Sequence, residues 1–167
     1  MHITLTMISE RPKITLSLSA SDKLVETMSW MLLGFMWAYT IYKFFSLPAI
    51  IPTHYNFKNQ VDGYGSKYVI LTLPVISSFL FGLLSLINKY PQSFNYSVKI
   101  TEQNALRQYT MATRLLRGLK CLLLLLFTSF VFETGLKDPF PWWVATCFLL
   151  IVLLPIVFYI VKSVRER

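Results

Sequence analysis

The sequence predicts an all-α integral membrane protein: a four-helix transmembrane bundle with a structured extracytoplasmic loop between helices 1 and 2, and an amphipathic cytoplasmic extension before helix 3. Two observations lead to this prediction. Hydrophobic residues make up 54% of the 167 residues and charged residues only 14%, a balance too apolar for an ordinary soluble domain. The apolar residues also gather into four runs, and a helix needs about 20 mostly apolar residues to cross a bilayer.

The first span is predicted over residues 24–45. The stretch "SLSASDKLVE" before it reads as a helix start, because Ser19 or Ser21 can cap the helix. Asp22 and Glu26 fall in the early turns, where the helix dipole favours negative charge. Residues 1–23 are therefore expected to form a cytoplasmic lead-in. No cleavable signal is evident in this polar segment, so we expect the first helix to remain as an anchor.

The second, third and fourth spans are predicted over residues 68–87, 119–134 and 142–161, within one membrane domain of residues 24–161. Ser66 can cap the second span, and Pro74 and Pro155 each remove a backbone donor within a span. Tryptophan and tyrosine favour the membrane interface, and such residues flank the outer ends of the second and fourth spans: Tyr64, Tyr68, Trp142 and Trp143. A basic cytoplasmic tail, residues 162–167, follows.

The segment "TEQNALRQYTMATRLLRGLK" predicts the extension before helix 3, with Thr101 as its cap. Arg107, Arg114 and Arg117 are separated by seven and three residues, so they lie on one side of that helix. Long basic side chains can reach lipid phosphates from a helix end. We interpret these arginines as candidate headgroup or partner contacts.

The distribution of basic residues predicts the orientation. With four spans, both termini and the loop between helices 2 and 3 share one side, and positive residues favour the cytoplasm. A bacterial cytoplasmic (inner) membrane with both termini inside is expected. The net charge of +8 is then explained by anionic lipid rather than by nucleic acid. Twelve basic residues fall on the inner side and four on the other: Arg11, Lys13, Lys23, Lys89, Lys99, Arg107, Arg114, Arg117, Lys120, Lys162, Arg165 and Arg167 against Lys43, Lys58, Lys67 and Lys137.

The loop "SLPAIIPTHYNFKNQVDGYGSKY" between the first two spans is longer than a helical hairpin needs. Pro48 and Pro52 favour extended residues before them, and residues 53–57 alternate as a short strand does. Asn59 and Gln60 suit a turn, and Gly63 and Gly65 permit backbone angles closed to other residues. We therefore expect a small folded cap on the outer membrane face.

Lys67 violates a local rule, since it falls in the first turn of a helix, where the dipole disfavours a cation. Asp62, five residues earlier and joined to it by the glycine-containing "DGYGS", is the hypothesised partner. A lipid phosphate is the alternative. The hypothesis is that Asp62 and Lys67 clasp the loop shut.

His54 admits several interpretations, of which structural hydrogen bonding is favoured. The others are recognition of an external molecule, a metal site with Asp62 and Asn56, and general-base catalysis oriented by Asp62. Two good ligands are fewer than a zinc site needs, and no serine or cysteine nucleophile is well placed. No catalytic residue, metal or cofactor is therefore predicted. Cys121 and Cys147 fall at different depths and are expected to pack as small apolar residues.

The loop resembles the signature of a bacterial membrane domain found at the N-terminus of SdpI-like immunity proteins, domain of unknown function 1648. "NYSVKITEQNALRQY" also resembles the family's segment before the third span, so the likeness covers roughly residues 24–119. The resemblance implies a polytopic membrane protein and, by analogy with its best-known relatives, protection against a secreted peptide toxin or signalling at the membrane. The matching positions are Leu47, Pro48, Ile51, Pro52, His54, Asn56, Asp62, Gly63, Gly65 and Lys67.

The function expected from sequence is that of a non-enzymatic multi-pass membrane protein whose outer loop recognises a peptide toxin or a membrane partner. Membrane lipids are the other expected partners. A small transporter or transporter accessory subunit is the first alternative, for which Glu133 is the acidic candidate within a span. A membrane hydrolase using His54 is the second. The oligomeric state is left open.

Overall fold

The computed structural model describes residues 11–56, 58, 60–134, 136 and 140–165, with every side chain in them except those of Trp142 and Ala145. The chain is mostly helical, as predicted, with one two-stranded sheet in addition. Its elements, in order, are α1 (Ala20–Ser46), β1 (Ile50–Tyr55), β2 (Val61–Ser66), a 3-10 helix (Lys67–Leu71), α2 (Thr72–Ile87), a short 3-10 turn (Pro91–Ser93), α3 (Ala105–Glu133) and α4 (Trp142–Arg165).

Three helical stretches in the described part of the chain are long and apolar enough to cross a membrane: Lys67–Ile87, Ala105–Glu133 and Thr146–Arg165. The chain is therefore a helical membrane protein. The predicted bundle of four spans is confirmed only in part, since α1 is not among the three. Tryptophan, tyrosine, serine and threonine recur along α1 and make it less apolar than α2 and α4.

The helices alternate in direction. Near the start of α1, Asp22 bonds Arg117, and further along it the ring of Tyr39 lies 4.0 Å from that of Phe132. Helices α1 and α3 therefore run parallel. α2 runs the opposite way, because Trp30 and Trp37 of α1 meet successively earlier residues of α2. α4 is antiparallel to α3, since Ser163 near its end bonds Gln108 near the start of α3.

The buried residues of α1 are separated by three, four or seven positions, as residues on one side of a helix must be. They are Asp22, Ser29, Leu33, Met36 and Thr40. The hydroxyls of Ser29 and Thr40 donate to carbonyls four residues back, so small polar side chains are buried without an unmet donor. Such residues let membrane helices approach closely.

Two helix starts differ from the prediction. The prediction of a helix start at Thr101 is wrong: α3 begins at Ala105, and the Thr101 amide instead donates to the side chain of Asn104. The predicted amphipathic extension is the first half of α3 itself, continuous with the apolar half. Pro74 lies in the first turn of α2, after the 3-10 helix. Its missing donor costs nothing at that position.

The outer surface of the helices is apolar. On α1, Met31, Tyr42 and Phe45 are exposed, and on α4, Leu154 and Phe158 are exposed. Large apolar side chains facing outward along whole helices are what a lipid environment accommodates. The exposed faces of α1 and α4 thus both carry large apolar side chains.

Candidate functional site: the hairpin between α1 and α2

The loop between α1 and α2 folds as an antiparallel hairpin. Ile50 pairs with Ser66 at its base and Tyr55 with Val61 near its tip, with irregular register around His54. The predicted short strand is therefore present, but β1 begins three residues and ends two residues earlier than expected. At the tip, the side-chain oxygen Oδ1 of Asn56 accepts from the backbone amides of Lys58 and Gln60. Asn56 is thus used in closing the turn, whereas the expected turn residue Asn59 lies outside the described residues.

Gly63 and Gly65 are required by close packing between the strands. A Cβ on Gly63 would lie 2.9 Å from the His54 Cβ, and one on Gly65 would lie 3.1 Å from the Thr53 methyl carbon. Neither glycine has a φ in the left-handed region. The expectation of unusual backbone angles is therefore wrong here. The glycines instead leave room for the side chains of β1.

His54 and Asp62 form a pair across the strands. The His54 Nδ1 lies 2.5 Å from an Asp62 carboxylate oxygen, and this contact fixes the direction of the ring. The His54 side chain is 73% exposed and that of Asp62 40%. The contact therefore orients the imidazole ring, and the other ring nitrogen, Nε2, belongs to a side chain that is largely exposed.

The predicted clasp between Asp62 and Lys67 is wrong. The segment between them is extended strand rather than flexible chain, and five residues of strand span about 16 Å. Lys67 instead donates from Nζ to the carbonyl oxygens of Phe44 at 2.9 Å and Leu47 at 3.4 Å, and it lies 4.6 Å above the Phe44 ring. These carbonyls are at the C-terminal end of α1, where the helix dipole favours a cation.

Tyr55 fastens the hairpin to the connection between α3 and α4. Its hydroxyl donates to the Leu136 carbonyl oxygen at 2.7 Å, and burial raises the pKa of the phenol. Under the hairpin is a cavity of about 290 Å³, whose lining includes Pro52, Tyr55 and Glu133. The hairpin is therefore held at its base by Lys67 and along one side by Tyr55.

The three arginines predicted as headgroup or partner contacts lie at the opposite end of the bundle, away from the hairpin. Arg114 and Arg117 each bond Asp22 of α1 at 3.2 Å. The Arg117 side chain is buried, that of Arg114 is half-exposed, and Arg107 also has interactions of its own. Headgroup or partner binding stays a prediction for these residues, whereas the bonds of Arg117 join two helices.

Sequence reasoning did not predict that Asp22 and Glu26 of α1 bond basic residues of α3. Burial alone would raise the pKa of Asp22, but hydrogen bonds from the Ser19 side chain and backbone and from Arg114 lower it below its usual 3.8. One turn further, Lys120 bonds Glu26 at 2.5 Å. The spacing could have predicted these pairs, because the acids on α1 and the bases on α3 are each about one turn apart, and the two sets face each other when the helices run parallel.

The described residues include no cluster of three or more metal-ligating side chains of histidine, cysteine, aspartate or glutamate. Cys121 is buried and Cys147 exposed, and both are free. The chemistry of the hairpin is therefore that of an oriented imidazole and carboxylate with aromatic neighbours.

These features define a helical membrane protein with a rigid hairpin between its first two helices. Residues 31–77 match the family model described as Domain of unknown function (DUF1648). The matched segment contains most of α1, the whole hairpin and the start of α2, and it confirms the predicted resemblance to this domain.

An uncharacterized protein of Archaeoglobus fulgidus is 27% identical over 86 residues, which make up 47% of this chain and 47% of that protein. The chain thus covers about half the length of this relative. No solved structure matches the chain.

Proposed function

We propose that this protein is a non-enzymatic membrane receptor-like component with four spans, whose hairpin recognises a peptide or a membrane protein outside the cytoplasm, in toxin immunity or in signalling. The observation that carries the proposal is the exposed His54–Asp62 pair on a hairpin whose backbone is fastened at several points. Bacterial origin, an SdpI-like role and the inward orientation of both termini belong to the same proposal.

The fourth span is α1. This helix has 27 residues, enough to cross a bilayer at 1.5 Å per residue. Its contacts with α3 extend from Asp22 to Tyr39, so it runs beside the apolar half of a helix that qualifies as a span. Most of its exposed residues are apolar, Ser29 and Thr40 are buried, and Trp37 donates to Ser78 of α2. These observations support a crossing by α1, with the hairpin at the end opposite the N-terminal segment.

Recognition is supported by the composition and the rigidity of the hairpin surface. Ile50, His54 and Tyr64 are all well exposed, which combines apolar area with an imidazole and the Asp62 carboxylate. Aromatic residues are enriched where proteins bind one another. A surface that is already ordered loses less conformational entropy on binding, so a small patch of this kind can still be selective.

The proposal is tested by expressing the full chain in a sensitive bacterial host and challenging it with a panel of secreted peptide toxins. Protection is expected from the wild type and from Ser17→Ala, a matched control at the other end of the molecule. Protection is expected to fall at least about fivefold in His54→Ala and Asp62→Ala, since loss of an interface anchor costs over 1 kcal/mol. All four proteins must accumulate equally in the membrane.

Equal sensitivity of expressing and empty cells to the whole panel would contradict immunity. Full protection by His54→Ala would contradict recognition through the hairpin. Turnover of an ester or peptide substrate that requires His54 would instead favour the hydrolase. Within the described part of the chain, no serine or cysteine is hydrogen-bonded to His54, which is why we propose a non-enzymatic role.

Transport is the second candidate because Glu133 lines the cavity beneath the hairpin. An acidic residue at the end of a span and beside a cavity is typical of sites that bind cations or protons. Vesicles containing the purified protein would then take up a cation or a protonated solute, and Glu133→Gln would abolish that uptake. Uptake unaffected by Glu133→Gln would contradict this alternative.

A further inference from the structure

A cavity of about 610 Å³ lies at the other end of the bundle, where α1 begins and α2 ends. Its roof is an extended segment, residues 11–19, which we call the strap. Arg11 anchors the strap by donating to the carbonyl oxygens of Gln92 and Phe94, and Ser19 ends it by capping α1. The volume is in the range of small-molecule sites.

The walls of this cavity are of two kinds. Ile14, Leu16 and Trp30 supply an apolar side, whereas Lys89, Arg117 and Lys120 supply cations. Glu26 is the one acidic residue among the described residues of the lining, so their charges sum to about +2. An anion with an attached apolar group matches both kinds of wall.

Two polar groups of the lining residues lack a partner within the described part of the chain. Arg117 and Lys120 bond Asp22 and Glu26, but no hydrogen bond or ion pair of the Lys89 ammonium is found within the described residues. The side-chain oxygen of Asn88 is buried and, again within the described residues, accepts no hydrogen bond. Buried acceptors are rarely left unmet. The cavity thus presents a cation that has no partner among the described residues, and Asn88 offers an acceptor that a ligand can reach once this side chain turns toward the cavity.

We propose that this cavity binds the headgroup of an anionic glycerophospholipid, with the phosphate on Lys89 and a headgroup hydroxyl donating to Asn88. The shared chemistry is that of a phosphate ester with a hydroxyl group. The apolar wall favours a lipid over a soluble phosphate ester, because Ile14, Leu16 and Trp30 can contact the first carbons of an acyl chain. The strap covers the bound headgroup.

Native mass spectrometry of the full chain in detergent tests this proposal with added phosphatidylglycerol, phosphatidylcholine or glycerol 3-phosphate. The wild type is expected to carry one phosphatidylglycerol, and phosphatidylcholine, which lacks both the net charge and the hydroxyl, is expected to bind much more weakly. Lys89→Gln should bind phosphatidylglycerol about fivefold more weakly, as expected for one lysine near an anionic headgroup. Lys99→Gln is the matched control, an exposed lysine outside the cavity lining.

Equal binding of phosphatidylglycerol and phosphatidylcholine by the wild type would overturn the proposal. So would Lys89→Gln binding phosphatidylglycerol as tightly as Lys99→Gln. Glycerol 3-phosphate binding as strongly as the lipid would overturn the lipid assignment, since the acyl chain would then contribute nothing. Lys89 has no partner to lose among the described residues, so the variant is expected to fold, and Asn88→Leu provides a second variant with the same expected loss.

Discussion

At the residue scale, the ammonium group of Lys67 joins the start of one helix to the end of another. The residue belongs to a 3-10 helix, where its charge opposes the dipole, yet its Nζ reaches the carbonyls that end α1. Those carbonyls have no partners inside their own helix. The cation therefore satisfies a helix terminus while closing the base of the hairpin.

Replacement of Lys67 by methionine is predicted to lower the free energy of unfolding by about 1 to 2 kcal/mol, because a charged donor to two carbonyls is lost while the apolar stem is kept. The thermal midpoint in detergent measures this. Lys58→Met, at the exposed tip of the same hairpin, should leave the midpoint unchanged. A midpoint for Lys67→Met equal to that of the control would contradict the bridging role.

Gly63→Ala is predicted to loosen the hairpin, because the added methyl group would meet the His54 Cβ at 2.9 Å. Overpacking of this kind costs roughly 1 to 3 kcal/mol. Hydrogen exchange at the hairpin amides should accelerate. Gly82→Ala, which meets nothing within 4 Å, should leave exchange in the hairpin as slow as in the wild type. Slow exchange in both variants would show that the strands tolerate a side chain at Gly63.

Some residue roles were accessible from sequence and others were not. Ser19 and Ser66 were predicted as caps and are caps, because capping is a local interaction. The partner of Lys67 was not predictable in this way, since its acceptors are main-chain carbonyls brought near by the hairpin. A contact of Asp62 with His54 was one of the interpretations left open from the sequence, and the structure shows it across the two strands.

At the element scale, α1 and α3 are joined by a ladder of ion pairs at one end and by aromatic rings further along. Asp22 and Glu26 are one turn apart on α1, and they bond bases one turn apart on α3. Asp22 also completes a capping box with Ser19. The same carboxylate thus begins α1 and holds it against α3.

Asp22→Asn is predicted to destabilise the protein by about 2 kcal/mol at neutral pH, less than a fully buried pair costs because the Arg114 side chain is half-exposed. The asparagine can keep the cap contact, so the loss reports the ion pairs. The pKa of Asp22 in the folded protein lies below its usual 3.8. Its stabilisation is therefore present above pH 3.8 and is lost as the pH falls through the folded pKa.

The measurement is the thermal midpoint of both proteins in detergent across pH 3 to 7, a range of roughly 1 unit below and 3 above the ordinary pKa of aspartate. The gap between wild type and Asp22→Asn should be constant at the upper end and should narrow below pH 3.8. A gap that stays the same at every pH would indicate that the charge of Asp22 has no part in stability.

Helix existence was easier to predict than helix length. The apolar half of α3 was identified as the third span, and the start of that span was placed at residue 119 because hydropathy falls where Arg114, Arg117 and Lys120 occur, apart from a preceding helical extension that was expected to begin at Thr101. The helix begins at Ala105, since those bases have acidic partners on α1 and do not interrupt it. Hydropathy alone could not show this, because the partners are about 90 residues away.

At the scale of the whole molecule, the two ends of the bundle differ in chemistry. One end has the hairpin with its exposed His54–Asp62 pair, and the other has the strap, the ion pairs and the cavity with Lys89. The apolar runs and the loop were sufficient to predict a membrane protein with a folded cap. The polar end was not predicted, because its basic residues were assigned to lipid and its acids only to helix dipoles.

The central claim is that α1 crosses the membrane and places the hairpin outside, and cysteine labelling in intact cells tests it most directly. In a background with Cys121 and Cys147 replaced by serine, Lys58→Cys at the hairpin tip and Ser17→Cys in the strap are each treated with a membrane-impermeant maleimide. The account predicts labelling of Lys58→Cys in intact cells and of Ser17→Cys only after permeabilisation. Labelling of both in intact cells, or of neither, would mean that α1 does not cross and would contradict the account.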